Sequence, residues 1–159
     1  MKVLIRADGG CNIGMGHVMR MLVLADRLKD FSEVVFVCRK NGEFETGVSL
    51  IEAYGYPVFT VNGEAIIDEL AGIGGDCLIT DSYDVDESYF RHTGDIFGIT
   101  GYMDDLNKVR ISADFIINQN IYARDLGYEK YEGTILLLGT RYALLRDEFR
   151  GLPARKMKR

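Results

Sequence analysis

Lys2-Val-Leu-Ile-Arg-Ala-Asp-Gly-Gly-Cys-Asn-Ile-Gly-Met-Gly-His-Val-Met-Arg20 is the stretch that decides the fold. Val3, Leu4 and Ile5 read as a short buried strand. Gly9, Gly10, Gly14 and Gly16 punctuate the loop after it. From His17 the apolar period changes, and Val18, Met21, Leu22, Ala25 and Leu28 fall on one face of a helix. Strand, glycine loop and helix is the layout by which α/β proteins bring backbone N–H groups and a helix N-terminus up to a phosphate or a sugar. His17 and Arg20 lie in the first turn, beside the buried face, and are expected to point into the mouth of a crevice.

Working outward, apolar runs at 33–38, 56–61, 76–80, 96–103, 113–117 and 134–138 read as strands. Helical stretches are expected at 43–54, 65–73 and 86–92. Pro57 suits an edge strand or a strand start, and Gly74-Gly75 a helix end. Strands alternating with helices, several of them continuous apolar runs, predict an α/β fold. Its sheet is mostly parallel and Rossmann-like, with helices on both faces. Asp8, Asp81-Ser82-Tyr83, Asp104-Asp105 and Asn118-Gln119-Asn120 each follow such a run. In an open parallel sheet these ends share one rim, where ligands bind, so the polar groups are expected to converge around His17.

Composition narrows the function. The 159 residues are 47% hydrophobic, enough for one domain with a real core. A net charge of −5 and a pI near 5.1 give none of the basic field that nucleic-acid binders need. The one basic cluster, Arg155 to Arg159, reads as a solvated end or a linker. Three cysteines, Cys11, Cys38 and Cys77, offer neither a disulfide framework nor zinc spacing and fit a reducing cytoplasm. No apolar run reaches spanning length, so neither membrane insertion nor a nucleic-acid partner is expected.

For most polar residues the pattern leaves two readings open. His17 is either a helix-end histidine bonded to a carbonyl or a general base. Arg20 either faces an anion or pairs with Asp26 or a strand-end carboxylate. Asp81, Asp104 and Asp105 orient sugar hydroxyls, exchange protons or cap helices. Tyr83 stacks on a sugar or packs in the core. For Cys11 the safer reading is small-residue packing rather than a nucleophile, and His92 reads as a surface residue. The glycine loop is neither a Walker A loop nor a dinucleotide fingerprint, since Val18 and Met19 stand where a third glycine belongs.

Taken together, Ile5-Arg-Ala-Asp-Gly-Gly10, Ile13-Gly-x-Gly-His-x-x-Arg20, Asp81-Ser-Tyr83, Asp104-Asp105, Asn118-Gln-Asn120 and Leu138-Gly-Thr-Arg-Tyr-Ala-Leu-Leu-Arg-Asp-Glu-Phe149 resemble the UDP-sugar hydrolases of the pseudaminic acid pathway. These cleave UDP-2,4-diacetamido-2,4,6-trideoxy-β-L-altropyranose. The related spore coat polysaccharide biosynthesis proteins carry the same pattern. The resemblance implies the N-terminal half of a GT-B-type fold, the two-domain architecture shared with the lipid II-forming N-acetylglucosaminyltransferase. His17 would then be the base that activates water against the anomeric carbon, displacing UDP. Gly14, Met15 and Gly16 would face the diphosphate, with a contribution from Arg20. Asp8, Asp81, Tyr83, Asp104 and Asn118 would line the substrate pocket, and Tyr142 to Arg146 would lie at the domain junction. The scheme requires no metal and no cofactor.

Family members continue well past the Leu-Leu-Arg-x-Glu-Phe motif into a second α/β domain that grips the nucleotide. Residues 1–150 are therefore expected to form the first domain and 151–159 the start of a linker, with the second domain as partner on the same or a separate chain. Two competitors stand beside hydrolysis. One is a GT-B glycosyltransferase that uses a sugar or lipid acceptor, and the other is a non-catalytic sugar-binding module.

Overall fold

Seven strands form one sheet in the computed structural model, which describes residues 1–128 and 132–149. They are β1 (Lys2–Ala7), β2 (Glu33–Arg39), β3 (Val58–Val61), β4 (Cys77–Asp81), β5 (Ile99–Met103), β6 (Phe115–Asn118) and β7 (Ile135–Leu138). Their spatial order is β3-β2-β1-β4-β5-β6-β7, and every neighbouring pair is parallel. Four α-helices accompany them among the described residues: α1 (Gly16–Leu28), α2 (Glu45–Ala53), α3 (Ile66–Ile73) and α4 (Glu87–Ile96).

β1 occupies the middle because it is apolar on both faces. Val3, Ile5 and Ala7 pack on Val18, Met21, Leu22 and Ala25 of α1 and on Ile51 of α2. Leu4 points the other way, into a cluster with Leu70 of α3 and Tyr89 and Phe90 of α4. Leu4 and Ile5 are completely buried, and each contributes about 1.5–3 kcal/mol by leaving water. The layering follows from chain direction. The crossovers from β1 through β2 to β3 advance one way across the sheet, which puts α1 and α2 on one face when each turn is right-handed. The chain then returns to β4 and advances the opposite way, which puts α3 and α4 on the other face. The direction reverses between β1 and β4, and a crevice opens there at the carboxyl ends of the strands.

Strands alternate with α-helices as far as β5, and the sequence expected no helix beyond that point. Residues 104–114 join β5 to β6 without a helix, because the Asp104 carboxylate accepts the amides of Leu106 and Asn107 at 2.9 Å each. Such side-chain turns compete with helix formation. Between β6 and β7 the described residues contain a 3-10 turn, Ala123–Leu126, and no α-helix. α4 runs on to Ile96, past the expected end at 92, since Thr93 continues its buried face and bonds back to the carbonyls of Tyr89 and Phe90. Accordingly β5 begins at Ile99 rather than Ile96. β3 is an edge strand, as Pro57 suggested: the Pro57 carbonyl accepts the Phe36 amide, and the missing proline N–H costs no ladder bond inside the sheet. The linker expected over 151–159, its basic cluster and the boundary at 150 lie outside the described residues.

The glycine loop is a small hairpin. Gly10 and Gly14 exchange backbone hydrogen bonds of 3.1 and 2.8 Å, and Gly14 has the positive φ of 76° that the reversal needs. Gly10 has no room for a side chain: a Cβ there would stand 2.0 Å from the Glu43 carbonyl oxygen. Two of the four glycines are thus required by turn and packing before any ligand is considered.

Candidate functional site

Four strands deliver polar groups to the crevice. Asp8 follows β1, Asp81 ends β4, Asp104 and Asp105 follow β5, and Asn118 ends β6. Asp8, Asp81, Ser82, Asp104 and Asn118 are all buried. α1 begins at Gly16, so His17 and Arg20 reach across from its first turn to the end of β4.

His17 Nδ1 lies 3.2 Å from the Asp81 carbonyl oxygen and 3.4 Å from its carboxylate Oδ1. Both partners are acceptors, so a proton on Nδ1 is the one that meets them. No described residue hydrogen-bonds Nε2. The ring is fixed a second time by an edge-on contact with Tyr83, with centroids 4.7 Å apart at 89°. The His17 side chain is 14% exposed and lines a cavity of about 410 Å³ with Asp8, Ile13, Arg39, Ser82, Tyr83 and Asp84.

Arg20 is the tie of the site. Its Nε and Nη2 donate to the two oxygens of Asp81 at 2.6 Å each, and its Nη1 donates to both oxygens of Asp105 at 3.0 and 2.8 Å. Of the two readings open for Arg20, the structure shows the pair with strand-end carboxylates; Asp26 bonds Lys29 instead. A diphosphate would have to compete with two carboxylates for this guanidinium, which argues against Arg20 as its main grip. Burial works against the charge of Arg20, but Asp81 and Asp105 outweigh it and raise its pKa. Burial also pushes the Asp81 carboxyl upward, with Arg20 and His17 pulling the other way. At Asp105, burial is outweighed by Arg20, Tyr83 and Asn120, which hold its pKa below the usual value.

Tyr83 neither stacks in the core nor stands free. It is 58% exposed overall, yet its hydroxyl is tucked against Asp105 Oδ2 at 2.8 Å. Burial of that end, together with the carboxylate, pushes the phenol up to about 12. Asn120 donates to Asp105 at 2.9 Å and to Asn118 Oδ1 at 2.9 Å, and Asn118 donates to the Tyr128 hydroxyl at 2.8 Å. Tyr128 in turn donates to Asp104 at 2.7 Å. Asn118 and Asp104 are therefore buried in a satisfied network, while His17, Tyr83 and Asp8 line the open cavity.

Sequence reasoning missed Arg39, Asp84 and Tyr128. Arg39 holds Asp8 through its backbone amide and its Nε, both at 2.7 Å, and reaches Asp84 at 2.9 Å. Applied to β2, the strand-end rule would have found Arg39; Tyr128 sits in a long loop and gave no signal. Gly14 and Gly16 are exposed beside the cavity, and Met15 packs on the α1 side of the core. Tyr142 packs on that same core. The structure does not bring Arg146 to His17. After β7 the chain turns back along α1, and Arg146 lines a separate groove with Asp26, Arg27 and Tyr54. Cys11 is exposed rather than packed, which corrects the expectation from its glycine neighbours, whereas Cys38 and Cys77 are buried. His92 is on the surface as expected. Among the described residues no helix is long and apolar enough to cross a membrane.

A parallel sheet of this order, reversing direction between β1 and β4, defines a Rossmann-like α/β domain. The solved structure of MurG from Acinetobacter baumannii, a GT-B glycosyltransferase, superposes on 86% of this chain and 44% of its own with a TM-score of 0.57 at 11% identity. The resemblance read from the motifs also holds along the chain. It is 34% identical over 161 aligned residues to the UDP-2,4-diacetamido-2,4,6-trideoxy-β-L-altropyranose hydrolase of Campylobacter jejuni, covering 94% of this chain and 53% of that protein. It is 29% identical to the uncharacterized protein MJ1062 of Methanocaldococcus jannaschii, over 94% of this chain and 32% of that one. The chain thus spans about half the length of the first relative and a third of the second. No family model matches it.

Proposed function

We propose that this chain carries the water-activating part of a nucleotide-sugar hydrolase, and that a second domain supplies most of the grip on UDP. The observation that carries the reading is the placement of His17 Nδ1 against two oxygens of Asp81, at the edge of a cavity. With the proton on Nδ1, Nε2 is the acceptor. A water bound there gives a proton to Nε2 as its oxygen attacks the anomeric carbon. The bond from that carbon to the diphosphate oxygen breaks, and UDP departs with the electron pair. The leaving group is good, so positioning and one base account for the catalysis without a covalent intermediate. Arg20 and Arg39 are both spent on carboxylates, which fits a nucleotide held chiefly from outside this chain. The Gly14 N–H is donated to the Gly10 carbonyl, so the backbone N–H groups of Met15 and Gly16 are the ones here that would meet the diphosphate. Tyr83 and Asp8 would face the sugar, and the product would enter nonulosonic acid or surface polysaccharide synthesis.

The test is UDP release from the diacetamido UDP-sugar by a protein that contains this chain and its second domain, against its His17→Ala variant. We expect a loss of about 10²–10⁴-fold, the usual contribution of a general base. Equal rates would remove His17 from the mechanism. Transfer to an added sugar or lipid acceptor in place of water would favour the glycosyltransferase reading, which the GT-B fold equally accommodates.

A further inference from the structure

On the other face of the sheet, one strand position from the crevice, Arg6 is 3% exposed. It makes no hydrogen bond or ion pair among the described residues, and its Nε and Nη1 are buried without a partner. Its guanidinium lies over the Tyr89 ring, 4.8 Å from the centroid. That contact holds the plane of the fork but satisfies none of its N–H donors. The side chain forms part of the wall of a cavity of about 400 Å³, between the start of α3 at Ile66 and Ile67 and the start of α4 at Ser88 and Tyr89. A single water occupies about 30 Å³ of liquid, so the space takes a small molecule.

The acidic groups on the rim are already committed. Asp86 caps α4 by accepting the Tyr89 amide at 2.8 Å, and Asp84 bonds Arg39. An arginine does not give up its proton, and a buried charge without a counter-charge is costly. Water would leave the charge unpaired. An oxoanion at the cavity wall supplies the counter-charge that the guanidinium lacks.

We propose that the Arg6 cavity is a second ligand site, which takes a small molecule by a phosphate or carboxylate group that pairs with the Arg6 guanidinium. Tyr83 and Asp84 line both this cavity and that of His17, so a ligand here touches the back of the loop whose front carries the proposed chemistry. The site does not depend on the hydrolase reading.

Thermal unfolding of this chain with sodium phosphate, acetate or chloride at equal ionic strength tests it, in wild type, Arg6→Met, Arg6→Lys and His17→Ala. We expect a saturable rise in melting temperature with phosphate or acetate over chloride. A phosphate response assigns a phosphoryl ligand and an acetate response a carboxylate. The rise persists in His17→Ala and disappears in Arg6→Met, which without ligand melts at or above wild type because an uncompensated charge is gone. Arg6→Lys keeps the charge but loses the fork, and weakens the apparent affinity by about tenfold or more. The proposal is overturned by no saturable rise with either anion, by an equal rise in Arg6→Met, or by loss of the rise in His17→Ala. If Arg6→Met does not fold, equal affinity in Arg6→Lys and wild type overturns it as well.

Discussion

Replacing Arg20 by methionine would leave Asp81, whose side chain is 0% exposed, without its bidentate partner. At an effective dielectric of 20, two charges 4 Å apart attract by roughly 4 kcal/mol, and breaking a buried pair from one side costs about 3–5 kcal/mol. Two hydrogen bonds of 2.6 Å to Asp81 and two more to Asp105 are lost together, which places this variant near the upper end. Against a total stability of about 5–15 kcal/mol for a domain, the loss is large. With a urea dependence of about 2 kcal/mol per molar, a loss of 4 kcal/mol lowers the unfolding midpoint by roughly 2 M. Urea titrations followed by circular dichroism would measure it. A second arm separates the charge from the shape: Arg20→Met with Asp81→Leu removes both charges and should recover most of the loss, since apolar replacement of a buried pair is close to neutral. A single variant within 1 kcal/mol of wild type, or a double variant no better than the single, would refute the description of the clamp as dry and tightly coupled.

Thiol labelling offers a quick check on the packing. Burial pushes Cys38 up to about 12 and Cys77 up to about 11, while Cys11 is exposed. At pH 8 a thiol reagent should label one cysteine in the native protein and three in denaturant; fast labelling of two or three would contradict the burial. Acid stability should depend on Asp105. Its depressed native pKa means that it stabilises fully above the unfolded carboxylate value of about 4 and that this contribution is lost as pH falls through its own lower value. Asp105→Asn should therefore be less stable than wild type at pH 6, with the gap closing as the pH drops to 3. A gap that stays constant with pH would show that the charge of Asp105 contributes nothing.

The rim of the site was legible because its signal is local. A polar residue directly after an apolar run marks a strand end, and parallel pairing carries Asp8, Asp81, Asp104 and Asn118 to one side without any knowledge of strand order. His17 was legible for the same reason, from the helix that starts one residue before it. Partnerships were not legible. That Arg20 would hold Asp81 and Asp105 together, rather than either alone, depends on β4 and β5 being neighbours. That Tyr128 would close a network with Asn118 and Asp104 depends on the course of an irregular loop. Arg6 gave a faint signal, a charged residue inside a strand buried on both sides, which is readable only once β1 is known to be central. The course of the chain between β5 and β6 was not legible either: Asp104 looked like any strand-end aspartate until its two acceptor bonds were seen.

The clamp also constrains how this sequence can change over generations. Positions 20, 81 and 105 come from one helix and two strand ends, yet no one of them is free to drift while the others stay. Loss of the arginine strands a buried carboxylate, and loss of Asp81 leaves a guanidinium that is only 12% exposed with Asp105 as its one remaining carboxylate. Single-step routes away from this trio pass through unstable intermediates, so lineages that keep the fold should inherit the three residues as a set or exchange them as a set.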